Sequence, residues 1–207
     1  MMAPRPHDLL FLHALERFEP AGAWPAWLDA AWHARAPLVV RREAVADGRV
    51  PAGARGRTRS ERCKGYVQAA SVARIVTPEM LARQAGTGDP AMPALQVLAA
   101  LAPRLDELGV AWGPAGGAGF QLACGLPVLR ADSDLDLLVR SPAPLATATL
   151  EQLLRMQADA AVRVDIQVDT GTGGFALADY ARGGRVLVKT AHGPVLVSDP
   201  WHQAVAA

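Results

Sequence analysis

The chain has 207 residues, of which 51% are hydrophobic and 20% charged, and its formal net charge at pH 7 is +1. This is enough apolar chain for a sizeable core in one large domain or two small ones, while a balance so near neutral gives no reason to expect nucleic acid or an anionic membrane as partner. Cys63 and Cys124 are the only cysteines and lie far apart, which excludes a disulfide framework or a zinc cluster, and no apolar run approaches the ~20 residues of a membrane helix, so the expected location is the cytoplasm.

From the N-terminus, His7 to Phe18 places Leu9, Leu10, Leu12, Leu15 and Phe18 near helical spacing, and Trp24 to Trp32 does the same with Trp24, Trp27, Leu28 and Ala31. Both are predicted as amphipathic helical segments, their tryptophans being core rather than a stacking surface. Pro37 to Arg42 reads as a short strand. Between Val50 and Ser60 turn-forming residues abound, so Arg55, Arg57 and Arg59 are expected on a loop or extended edge, displayed to an anion or simply solvated. The whole stretch from Arg41 to Arg74 is strongly basic.

Tyr66 to Val76 is apolar enough for a strand. Thr77-Pro78-Glu79 then has the form of an N-cap with proline at the first helical position. Gly86 to Pro90 reads as a linker, dividing the chain into an N-terminal domain, 1–86, and a C-terminal domain, 87–207. Beyond it Leu95, Leu98, Leu101, Leu105 and Leu108 recur at helical steps, with Pro103 expected to bend or break the helix. Val110 to Trp112 is a brief strand, Pro144 to Asp159 a helix, Val162 to Val168 a strand, Gly174 to Ala181 a helix, and Arg185 to Lys189 with Val195 to Val197 two closing strands. Alternating strands and helices predict an α/β or α+β fold.

The chemistry concentrates in Asp132-Ser133-Asp134-Leu135-Asp136-Leu137-Leu138-Val139-Arg140. On a strand, Asp134 and Asp136 face the same way. Like charges about 4 Å apart repel by roughly 4 kcal/mol at an effective dielectric of about 20, so the pair needs a cation or must retain a proton. Hard oxygen ligands favour Mg²⁺ or Mn²⁺. The glycine-rich turn Trp112 to Phe120, with Gly116 and Gly117, offers backbone N–H groups to phosphate. Asp165 and Asp169 share a face of the later strand, Asp165 sitting deeper in the apolar alternation, and either could be the third acid. Lys189 and His192 are placed to reach a triphosphate, although a strand lysine is more often surface charge. No serine, cysteine or lysine is flanked like an activated nucleophile. These residues alone indicate metal-dependent transfer of a phosphate-linked group to a small molecule, nucleic acid or protein, or a module that binds without turnover.

Glycine turn, Asp-x-Asp strand and later strand Asp together resemble the nucleotidyltransferase fold. The string GGAGFQLACGLPVLRADSDLDLLVR, with VDIQVDTGTGGFALADYAR and KTAHGPVLVSDPW after it, resembles the phosphoribosyl-dephospho-CoA transferases of malonate decarboxylase. That resemblance implies a C-terminal nucleotidyltransferase-like mixed sheet flanked by helices, beside a smaller N-terminal α/β domain that binds carrier protein or donor. It further implies Asp134, Asp136 and Asp165 as metal ligands and triphosphoribosyl-dephospho-CoA as donor. Gly116, Gly117, Lys189 and the three arginines would serve substrate phosphates, and the acceptor would be the acyl carrier protein subunit of malonate decarboxylase. Gly117 stands where nucleotidyltransferases usually carry a serine, so backbone amides must replace its hydroxyl.

Overall fold

The computed structural model describes residues 3–202. It is α+β, with two six-stranded sheets, and it divides into two compact units. One comprises the residues up to Thr77 together with Phe120–Val128, and the other Pro78–Gly119 with the residues from Leu129 on. The first stretch of that unit thus ends at Thr77, nine residues before the linker on which the sequence reading divides the chain, and Phe120–Val128 returns to it.

In the first unit, β1 (Leu9–Leu12), β2 (Phe18–Pro20), β3 (Leu38–Val40), β4 (Arg49–Arg55), β5 (Arg62–Gln68) and β6 (Val72–Val76) are all antiparallel. Their order is β2-β5-β4-β3-β1-β6. Leu10, Phe18, Leu28, Leu38, Val40, Ala52, Ala54 and Val67 form the core.

Three expectations fail here, each for a physical reason. The segment His7 to Phe18 is β1, a 3₁₀ turn at Leu15–Arg17 and the start of β2, not a helix. β1 lies between β3 and β6, so the adjacent Leu9 and Leu10 are both buried and the period of two is hidden. Of Trp24 to Trp32 only the single turn α1 (Ala30–His33) is helical; Asp29 caps it by accepting from the Trp32 N–H at 2.6 Å. The arginine loop is strand as far as Arg55. Pro51 is tolerated in β4 because β3 pairs with the following Ala52 and Gly53, beyond the missing N–H.

The second unit begins at Pro78 with α2 (Pro78–Ala82), the helix start expected there, followed by α3 (Pro93–Glu107), which runs through Pro103 unbroken with Leu101 and Leu105 buried on either side of it. Then come β7 (Ala111–Pro114), α4 (Gly116–Cys124), β8 (Leu135–Arg140), α5 (Thr147–Asp159), β9 (Val164–Asp169), β10 (Gly173–Ala176), α6 (Leu177–Ala181), β11 (Val186–Thr190) and β12 (Gly193–Val197). The expected helix from Gly174 is thus a strand followed by a short helix. Phe175 is buried against Tyr180 and Trp201, and Thr170 joins Gly173 in a hairpin turn.

The second sheet is ordered β12-β11-β10-β9-β8-β7 and is mixed, with β8 and β9 its parallel pair. Leu135, Leu137, Val139, Val164, Ile166 and Val168 are all buried on one face. The opposite face carries the polar residues of β8 and β9. Among the described residues, no helix is long and apolar enough to cross a membrane.

Candidate active site

Asp136 and Asp165 are direct partners across the parallel ladder of β8 and β9. In-register partners present their side chains on one face, so two acids 29 positions apart in sequence become neighbours. Each is the second residue of its strand and both are half-buried. Arg163, two residues before Asp165 and on the same face, lies 3.2 Å from Asp165 Oδ2. The sequence reading passed over this arginine, although the same alternation that singles out Asp165 identifies it.

The start of α4 closes on the carboxylate of Asp136. Ala115 N–H donates to the Asp136 carbonyl at 2.9 Å. Gly116 has φ +52°, and a Cβ there would stand 1.8 Å from Asp136 Oδ2. Glycine is therefore demanded twice, by the left-handed backbone and by the carboxylate pressed against it. The glycines expected in a turn form the first turn of α4, whose N–H groups lack intrahelical acceptors. Gly119 also permits close packing, since a Cβ there would meet the Pro114 carbonyl at 2.5 Å.

Asp134 is half-buried one residue before β8, and Asp132 is exposed beside Arg130. Among the described residues no three His, Cys, Asp or Glu side chains are grouped closely enough to hold a metal. The hard oxygens of Asp136 and Asp165 still suit Mg²⁺ or Mn²⁺, because Mg²⁺ typically takes one or two carboxylates and fills its other positions with water and substrate phosphate.

Asp169 has a different environment. It is buried, its Oδ2 lies 2.5 Å from Arg140 Nη1, and its Oδ1 accepts from the Gly171 N–H at 2.9 Å. Arg140 Nε also donates to Glu79 of α2 at 2.8 Å. Asp169 is thereby engaged by a buried arginine and a turn amide, whereas Asp165 remains half-exposed.

The basic candidates are dispersed. Arg55 is buried, with its guanidinium 5.3 Å from the centre of the Phe120 ring, and its carbonyl accepts from Trp32 Nε1. Arg57 stacks at 4.9 Å on Trp32 and pairs with Asp29 at 2.8 Å. Arg57 and Arg59 are exposed whereas Arg55 is not, so only two of the three arginines are displayed to solvent. The Arg57 pairing, with the Trp32 amide, holds Asp29 below the usual carboxylate range. Lys189 is exposed on β11 and pairs with Gly174, which pairs with Asp169. It therefore shares the face of the acid pair but lies roughly 16 Å away, two strands across and four residues along. His192 is exposed in the following turn.

Residues 5–78 match the family described as phosphoribosyl-dephospho-CoA transferase MdcG N-terminal domain, and residues 80–200 match its C-terminal domain. A phosphoribosyl-dephospho-CoA transferase of Klebsiella pneumoniae strain 342 is 44% identical over 97% of both chains. One from Pseudomonas putida strain GB-1 is also 44% identical over 97% of both, and one from Pseudomonas aeruginosa is 43% identical over 97% of this chain and 95% of its own. No solved structure matches. The chain belongs to the phosphoribosyl-dephospho-CoA transferase family and is an enzyme of the transferase class.

Proposed function

We propose that this enzyme transfers the phosphoribosyl-dephospho-CoA group from 2'-(5''-triphosphoribosyl)-3'-dephospho-CoA to a serine of the malonate decarboxylase acyl carrier protein, in the cytoplasm, releasing pyrophosphate. The observation that carries the reading is the acid pair Asp136 and Asp165, set in register beside a glycine helix start. Carboxylates next to free helix amides suit a ligand that brings both phosphate and a divalent cation.

Asp136 and Asp165 would hold Mg²⁺ or Mn²⁺, with Asp134, on the approach to β8, acting through the cation's bound water rather than as a third direct ligand. Such a cation would supply positive charge to offset the triphosphate and the departing pyrophosphate. The N–H groups of the first turn of α4, at Gly116 and Gly117, bind phosphate oxygens in place of a serine hydroxyl. Arg163 restrains the Asp165 carboxylate and limits its repulsion of Asp136. The attacking oxygen is the acceptor's serine hydroxyl; it forms the new phosphodiester bond as the bond to pyrophosphate breaks. Of the basic residues named from the sequence, Arg59 stays available to substrate anions, while Arg55 and Arg57 serve the packing of the first unit.

Intact-mass analysis of apo carrier protein mixed with donor, Mg²⁺ and enzyme tests the proposal. The carrier gains the mass of the prosthetic group and pyrophosphate appears in equal amount; an unmodified carrier refutes the reading.

A further inference from the structure

The polar face of the second sheet continues past the acid pair to a patch with no role in the reaction so far. Lys189 pairs with Gly174, and Gly174 with Asp169, so by strand alternation Leu187 lies on the face that carries Asp165 and Asp136. Leu196 of the edge strand β12 is the direct partner of Leu187. Both leucines are 47% exposed, whereas Val186 and Val188 on the other face of β11 are buried. An exposed apolar pair with a charged border is the pattern of a protein contact.

Basic residues border this pair. Lys189 is exposed next to Leu187, and Arg185 reaches across to donate to the Leu196 carbonyl at 2.6 Å. From Asp165 to Leu187 is two strand spacings across and two residues along, roughly 12 Å. That is about the diameter of one α-helix with its side chains.

We infer that Leu187 and Leu196, with Arg185 and Lys189 at their border, dock the acceptor as an acidic carrier protein whose serine then reaches Asp136 and Asp165. The inference rests on the proposed function, in which the acceptor is a protein. An apolar contact with a basic border complements an acidic partner, the charges setting the association rate and the leucines the lifetime of the complex. A flat sheet face suits a protein domain better than a small donor, which binds in concave sites. Lys189 accordingly belongs to acceptor docking rather than to the donor triphosphate.

Steady-state transfer by the full chain, with donor and carrier varied separately, tests this. The double variant Leu187→Glu/Leu196→Glu is expected to raise the carrier KM at least tenfold, with donor KM and kcat at saturating carrier within twofold of wild type. Leu187→Lys/Leu196→Lys is expected to cost less, since it adds charge of the favourable sign. Thermal melts confirm that the variants are folded, and Leu196→Gln, a milder change expected to raise the carrier KM about threefold, serves should a double variant unfold. An unchanged carrier KM, or an equal rise in donor KM, overturns the docking assignment. So does a wild-type dimer that the double variant dissociates without change in carrier KM, which assigns the patch to a second copy of the chain. If wild-type enzyme leaves the carrier unmodified, the functional reading itself fails, separately from the patch.

Discussion

Arg140 and Asp169 are register partners at the ends of β8 and β9, and their charged groups meet at 2.5 Å in the interior. They lie four residues along from Asp136 and Asp165 on the same face, so one in-register pair fixes the alignment of the other. Removing one partner of a buried ion pair typically costs about 3–5 kcal/mol. Asp169→Asn is therefore expected to lower the melting temperature by several degrees or more. Asp165→Asn, at a half-exposed site, should leave the melt nearly unchanged while lowering transfer more per folded molecule. Matched melts and turnover rates check the division, and the reverse order of activities would show Asp169 to be the acid that matters.

Asp134→Asn and Asp136→Asn are each expected to abolish transfer without loss of stability. For Asp136 the substitution also relieves the repulsion with Asp165, so its melt should match or exceed that of wild type. Turnover near wild type by either variant at saturating Mg²⁺ would remove the proposed ligand set.

Gly116→Ala places a methyl group where Asp136 Oδ2 now stands and imposes a left-handed backbone on a side chain, at about 1–2 kcal/mol for the backbone alone. Transfer should fall at least tenfold, because the carboxylate must swing away from its position. Gly22→Ala, whose Cβ meets nothing within 4 Å, is the control and should be neutral.

Arg55→Gln is expected to destabilise the first unit by about 2 kcal/mol, on the scale of a desolvated cation–π contact, and Arg59→Gln to leave stability unchanged. Chemical denaturation measures both. If instead all three arginines had equal and purely kinetic effects, the segment would be acting as the displayed anion site that its composition suggests.

The pH dependence of stability has an identifiable contributor in His33. Burial pushes its pKa below the usual 6.5, outweighing the pull of Asp29 in the other direction. The unfolded chain then takes up a proton first as pH falls. His33 stabilises fully above about pH 6.5, and that contribution declines below it until the folded-state pKa is passed. Denaturation midpoints should drop between pH 7 and pH 5, and His33→Gln should flatten that slope.

The second unit was far more legible in the sequence than the first. Asp136, Asp165 and the flanking strands stood out because polar residues alternate with apolar ones, the signature of a sheet with one open face. Sequence also favoured Asp165 over Asp169, but it could not reveal that Arg140 engages Asp169, since that contact spans 29 residues. In the first unit, the paired Leu9 and Leu10 of an interior strand mimicked helical spacing. Pro51, Ala52 and Gly53 disguised β4 as a loop, its strand conformation being imposed by neighbours on both sides rather than by local preference. Arg55 was misread for the same reason: composition reports charge, whereas the Phe120 ring that receives that charge becomes visible only once the chain has folded.

The parallel pairing of β8 and β9 separates what the chemistry requires from what it tolerates. Parallel strands cannot be joined by a tight hairpin, so the chain leaves at Arg140, passes through α5 and re-enters at Val164. The distance between the two carboxylates is set by the hydrogen-bond ladder and not by the length of that return path. Residues 142–162 can therefore gain or lose a helical turn over evolutionary time while the spacing of Asp136 and Asp165 stays the same, making this crossover the natural site for insertions in an otherwise exacting unit.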